Sequence, residues 1–122
     1  MDIETYRRWT HETAVYPEAG CATIRELNYL IFGMIGESGE IANKWKKSLR
    51  KKQARLDPLV PIDESLDYGM ILDLADEVGD TLWYACRIIH VLGFDVAQVL
   101  IRNKDKLEER KIRGELKDHA PV

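Results

Sequence analysis

Apolar residues recur at three- and four-residue steps through Ile24, Leu27, Ile31, Met34, Ile41, Trp45 and Leu49, a spacing that gathers on one face of a long α-helix. A second row, Ile71, Leu74, Val78, Leu82, Ala85 and Ile89, runs through a segment from about Met70 to Leu92. No stretch shows the two-residue alternation of a half-buried strand. Long helices with apolar faces must cover them with each other or with further helices. The sequence therefore predicts an all-α fold, an antiparallel four-helix bundle.

Local signals mark the ends of the helices. A first helix is predicted from about Asp2 to Tyr16, stopping before Pro17, and Gly20 punctuates the loop that follows. The second opens at Thr23, where Thr23-Ile24-Arg25-Glu26 reads as a capping box, and fades near Arg50 to Lys52. Residues 53–69, with Pro58 and Pro61, read as an irregular connector. The third helix stops at Gly93. Asp95, with Gln98 three positions on, caps a fourth whose inner face is Val96, Val99, Leu100 and Leu107. Gly114 ends that helix, and the last eight residues read as a polar tail.

At 122 residues and 45% hydrophobic content, residues 1–122 are expected to form one ordinary soluble domain, burying roughly two-thirds of the unfolded surface. A formal charge of −3 argues against binding a nucleic acid polymer. Cys21 and Cys86 make neither a CxxC pair nor a disulfide framework, and the N-terminus lacks the basic start and apolar run of a signal peptide. The most apolar stretch, Thr81 to Phe94, is broken by Arg87 and His90 and is too short for a membrane span. A cytoplasmic protein is expected. Trp83, Ile88 and Val91 make the third helix apolar on a second side. A helix of that kind needs cover on both sides, which predicts a homodimer or homotetramer with this helix at its centre, unless the connector supplies the cover.

The chemistry concentrates in two short acidic runs. The second helix carries Gly36-Glu37-Ser38-Gly39-Glu40 and the third Glu77-Val78-Gly79-Asp80. Residues three apart on a helix are neighbours, so each run aims two carboxylates at one spot, where like charges near an apolar core repel. Asp73 and Asp76 add to the excess, with no Lys or Arg nearer along the third helix than Arg87. A divalent cation such as Mg²⁺, or Mn²⁺, relieves it, taking carboxylate oxygens and leaving positions open to phosphate. Other acid-x-x-acid pairs, such as Asp105/Glu108, sit in polar surroundings. Gly33, Gly36, Gly39 and Gly79 lie in helix interiors, where each costs about 1 kcal/mol relative to alanine; close approach of the two helices is the expected return, packing alone the alternative.

Glu37, Glu40, Lys44 and Lys47 line one helical face, running from acids to bases as a polyphosphate would need; the basic run from Lys44 to Arg55 can equally be a solvated helix end. On the fourth helix Asn103 falls in the apolar row, with Lys106 and Arg110 beside it; it either meets a phosphate or fixes the register of the bundle. Tyr84 stands one turn beyond Asp80, as a substrate contact or a core aromatic with a wet edge. Tyr6, Trp9 and Tyr16 on the first helix read as core or as a wall for a base. No Glu-x-x-His, Walker loop or GxGxxG occurs.

GMIGESGEIANKWKK followed by LADEVGDTLWYA resembles the MazG-like all-α nucleoside triphosphate pyrophosphohydrolases, and TAVYPEAG before and LGFDVAQVLIRNKDKLEERKIRG after extend the resemblance over nearly the whole chain. It implies hydrolysis of a nucleoside triphosphate between the α and β phosphates, with Glu37, Glu40, Glu77 and Asp80 as catalytic Mg²⁺ ligands. Lys44, Lys47, Asn103, Lys106 and Arg110 would then meet phosphates, Tyr84 would face substrate, and the subunits would assemble as dimers or tetramers. The connector is longer than in compact members. A nucleotide-pool housecleaning role fits that reading; the competing one is a non-catalytic helical module that binds nucleotide or protein.

Overall fold

The computed structural model describes residues 1–51 and 57–115. Its elements are α1 (Ile3–Thr13), α2 (Ile24–Lys51), α3 (Ile62–Ser65), α4 (Tyr68–Val91) and α5 (Val96–Ile112), with no strand among the described residues. The all-helical expectation holds, and the caps explain most of the boundaries. Asp2 accepts the Thr5 amide at 2.8 Å, Asp67 accepts that of Met70 at 2.9 Å, and Asp95 forms a full capping box with Gln98. Asp67 also starts α4 two residues earlier than the apolar row suggested. Gly93 and Gly114 take the positive φ of helix C-terminal residues.

Three details differ from the sequence reading. α1 ends at Thr13, because the chain then turns through Glu18, Gly20 and Ala22, all at positive φ. The connector holds one turn of helix, α3, following Pro61 and closed by the Leu66 amide on Ile62 at 2.8 Å; four residues are too few to show a period. Residues 53–56 of the connector and Lys52 and Arg55 of the basic run lie outside the described residues, as does the tail from residue 116.

The third difference concerns the capping box at Thr23. The threonine Oγ1 accepts the Glu26 amide at 3.2 Å, but the Glu26 carboxylate does not reach back to Thr23. It turns inward, fully buried, and accepts the amides of Gly20 and Ala22, each at 2.8 Å, and the Tyr16 hydroxyl at 2.6 Å. Arg87, equally buried on α4, donates to the Tyr16 hydroxyl at 3.4 Å and to Thr10 Oγ1 at 3.3 Å. A buried charge is tolerated only when paired and hydrogen-bonded, and this relay ties α1, its following loop, α2 and α4 together. Burial by itself would raise the Glu26 pKa; the three donated hydrogen bonds and the Arg87 charge outweigh it and hold the carboxyl below its ordinary value.

α2 and α4 pack side by side in opposite directions, and α1 lies on α4. α5 leaves α4 at 99°. Its start is fixed by Glu4, which accepts the Val96 amide at 2.9 Å and also binds Arg7, whose Nη1 donates to His90 Nδ1 at 2.9 Å. The far flank of the α2–α4 pair stays bare: Ile35 is 60% exposed and Val78 and Leu82 are each 47% exposed. The connector covers only the end of that flank, where Pro58, Val60, Ile62 and Leu66 gather over Trp45 and Leu49. Among the described residues the connector leaves Val78 and Leu82 of α4 largely exposed. No single helix among the described residues is long and apolar enough to cross a membrane.

Removing one partner of a buried charged set leaves the other uncompensated, so Glu26→Gln and Arg87→Met are each expected to cost roughly 3 kcal/mol in chemical denaturation. Acid acts in the same direction. Burial, then the neighbouring His11, Arg87 and Arg7, lower the His90 pKa from 6.5, while that of Glu26 is lowered from 4.5. The unfolded chain binds these protons first, so stability is full above pH ~6.5 and falls in two stages, below ~6.5 for His90 and below ~4.5 for Glu26. A stability profile flat from pH 7 to 4 would contradict both shifts.

Candidate metal centre

The seam between α2 and α4 is where the charged residues meet. Antiparallel packing sets Glu37 of α2 opposite Glu77 and Asp80 of α4, and one carboxylate oxygen from each of the three lies within 4.8 Å of the other two. Glu77 is only 8% exposed. Its Oε1 pairs with Lys44 Nζ at 2.9 Å, while its Oε2 is buried with no hydrogen-bond partner. α4 itself offers no cation nearer than Arg87, and the counter-charge on Glu77 comes across the seam from α2.

The electrostatics divide the pair. The hydrogen bond from Lys44 outweighs burial and holds the Glu77 carboxyl below its ordinary value. Burial, then the Glu77 carboxyl beside it and the charges of Asp80 and Glu40, push that of Glu37 up. One carboxylate is thus ionised and neutralised, and its neighbour is held by that same crowding toward its protonated form. A divalent cation fits this set. Hard oxygen donors converge, one buried oxygen lacks a partner, and an ion there would neutralise the charge that Lys44 answers only in part.

Glu40 stands one turn along α2, exposed, accepting from the Asn43 side chain at 3.3 Å. It is outside the close trio, although its charge is felt at Glu37. Lys44 and Lys47 line a recess with Ser48, Lys51, Met70 and Asp73, beside the carboxylates. Tyr84 lies at the opposite end. A Cβ at Gly33 would fall inside its ring, so glycine there is what lets α4 approach. Of the glycines expected to permit close approach, Gly33 alone has that role: a Cβ at Gly36, Gly39 or Gly79 would meet nothing.

A family model described as "MazG nucleotide pyrophosphohydrolase domain" matches residues 25–113. The chain belongs to the MazG nucleotide pyrophosphohydrolase family. Both acidic runs and the seam that joins them fall inside the matched residues. The chain is also 40% identical over 115 residues to "Gene 37 protein" of Mycobacterium phage L5, covering 93% of this chain and 92% of that one. No solved structure matches it.

This MazG chain does not bring all its sequence-predicted site residues together. Asn103 and Lys106 line a separate groove with Leu92, Phe94, Val99 and Arg102, on the helix that turns away from the seam. No ion pair or hydrogen bond links them, or Arg110, to the carboxylates among the described residues. Two contacts were missed by sequence reasoning. The Lys44–Glu77 pair joins residues far apart in the chain, and only the four-residue step from Glu40 to Lys44 hinted at it. Tyr29, one turn before Gly33, lies beside Tyr84 and carried no signal of its own.

The glycine geometry gives a two-sided test. Gly33→Ala is expected to lose stability, because the Tyr84 ring must move, whereas Gly36→Ala is expected to gain up to about 1 kcal/mol from helix propensity. Thermal unfolding of the two variants checks both signs.

Proposed function

We propose that the protein hydrolyses a nucleoside triphosphate at the α–β bond, releasing the nucleoside monophosphate and pyrophosphate, as part of nucleotide-pool housecleaning. The observation that carries this reading is the convergence of Glu37, Glu77 and Asp80 around a buried, unpartnered oxygen in a chain of this family. These three, with Glu40 adjacent, would hold Mg²⁺ or Mn²⁺. When bound, the ion supplies charge neutralisation at the phosphates and activation of water.

The chain's own groups account for the rest. Water attacks the α phosphorus, the bond from that phosphorus to the bridging oxygen breaks, and pyrophosphate leaves with its electron pair. A seam carboxylate takes the proton of the attacking water. Lys44 pairs with Glu77 across the seam; with a cation held by the carboxylates, its ammonium would be free to turn to a departing phosphate oxygen, with Lys47 beside it. Asn103, Lys106 and Arg110 lie apart within one chain, so a phosphate role for them requires the α5 helix of another subunit.

Assembly is part of the same proposal. The bare flank carrying Ile31, Ile35, Val78 and Leu82 is the surface a second copy would cover, giving a homodimer or homotetramer. Free Cys21 and Cys86 suit the reducing cytoplasm as its place of action.

Incubation with a panel of canonical and modified triphosphates and Mg²⁺ is expected to yield pyrophosphate, with kcat/KM reduced about a hundredfold or more in Glu77→Gln and Asp80→Asn. Mg²⁺ should raise the melting temperature of the wild type, by about 2.7 kcal/mol of added stability at a hundred times its Kd, and leave those variants unmoved. Metal stabilisation without cleavage would instead favour a nucleotide-binding module. Light scattering should give a multiple of the chain mass, and a monomer at micromolar concentration would rule out the proposed assembly.

A further inference from the structure

The Lys44–Glu77 ion pair ties up, on each other, two groups that the proposed reaction needs for different ligands. The two stand 2.9 Å apart, with side chains 32% and 11% exposed. Of the ion pairs among the described residues, it is the one that links two helices; the others lie within α1, at the start of α2 and at the end of α5. A pair open to water on one side adds little to stability. Arg87, fully buried, already ties α1, its loop, α2 and α4 together through a rigid guanidinium. Lysine offers instead a compact ammonium on a stem that can swing.

Its surroundings leave that ammonium two places to stand. On one side Glu77 Oε1 takes it, at the edge of the trio whose oxygens converge within 4.8 Å. On the other is a recess of about 180 Å³ lined by Lys44, Lys47, Ser48, Lys51, Met70 and Asp73. Lys44, Lys47 and Lys51 follow one another at three- and four-residue steps, where like charges on a helix repel. With no anion in the recess, Lys44 is better placed on Glu77. A cation among the carboxylates weakens that hold from one end, and a phosphate in the recess weakens it from the other.

We propose that Lys44 is a resident competitor at the site: on Glu77 it opposes the divalent cation, and while held there it is withheld from phosphate. The inference rests on the nucleotide reading given above and adds a selection rule to it. Either ligand alone has to separate the pair to gain its full contacts. The two together share one separation, because the cation takes Glu77 while the phosphate takes Lys44. The site therefore selects a polyphosphate that arrives with its divalent cation over free polyphosphate or free metal. Such coupling is reciprocal, which distinguishes it from a lysine that only binds phosphate. Removing Lys44 should tighten metal binding, and removing its carboxylate partner should tighten phosphate binding without metal.

Two titrations of the nucleotide-free protein test it. In the first, Mn²⁺ binding is followed by the electron paramagnetic resonance of the free ion. Lys44→Gln should bind Mn²⁺ about tenfold tighter than the wild type, and Lys44→Arg should keep the wild-type affinity. Lys46→Gln removes an equal charge two residues along, on the opposite side of α2, and should shift it by less than about twofold. In the second, binding of inorganic tripolyphosphate is measured by calorimetry in EDTA. Glu77→Gln should bind it about tenfold tighter than the wild type. Asp80→Asn, which removes the same charge without freeing Lys44, should gain clearly less, and the Lys44→Gln, Glu77→Gln double variant should lose the gain. The competitor role is lost if Lys44→Gln leaves Mn²⁺ affinity unchanged or weaker, or if the gain in Glu77→Gln survives the loss of Lys44. Should Lys44→Gln fail to fold, the second titration decides alone, since the double variant leaves neither charge unpaired. If the wild type cleaves no triphosphate, the hydrolase reading fails by itself, and both titrations still decide the role of Lys44.

Discussion

Charge buried at a helix seam governs this molecule. α2 and α4 meet along their length, and ionisable groups occupy that contact at two levels: Glu26 with Tyr16 and Arg87 at one, Glu37, Glu77 and Asp80 with Lys44 at the other. Glu26, Arg87 and Glu77 are the buried members, and each needs partners, because a lone buried charge is far more costly than any single apolar contact repays. Each level leaves one buried atom without a hydrogen-bond partner, Arg87 Nη2 at the first and Glu77 Oε2 at the second. What sets the second apart is that its unpartnered oxygen stands among converging carboxylates.

The contrast between the levels organises the rest. Glu26 receives two backbone amides and a hydroxyl, so it is held in place and its loop with it. That loop positions Tyr16, and through Tyr16 the Tyr29 ring stacked on it, one turn before Gly33. Glu77 receives one ammonium on a flexible stem, an arrangement that can be exchanged for a cation. Rigid support lies next to an exchangeable site. Gly33 allows the approach by giving up its side chain to the Tyr84 ring, at the helix-propensity cost that an interior glycine carries.

The two flanks of the seam have different fates. One carries the aromatic, acidic and basic groups in sequence; the other carries Ile31, Ile35, Val78 and Leu82, which the described residues leave largely exposed. An apolar row in the sequence says that a helix has a face to bury, not which neighbour buries it. The predicted row on α4 faces this open flank, whereas burial within the chain falls on Met70, Glu77, Cys86 and Arg87, two of which are charged. Periodicity could not have foreseen that, since it treats charged residues as the outside of a helix.

By itself, the sequence determined the helices and the residue types of the site. The three- and four-residue periods, Asp95 with Gln98, Gly93 and Gly114 act over a turn or less of chain, so they are legible without coordinates. The spacing of Glu37 and Glu40 and of Glu77 and Asp80 placed each pair on one helical face for the same reason. Tertiary structure alone decided which groups meet: Lys44 on Glu77, Tyr84 in the space of Gly33, Glu26 on Tyr16 instead of its own helix start, and α5 turned 99° away with Asn103 and Lys106. Those outcomes depend on the relative rotation and offset of separate helices, which no local spacing encodes, and they are fixed by where buried charge and volume can be matched.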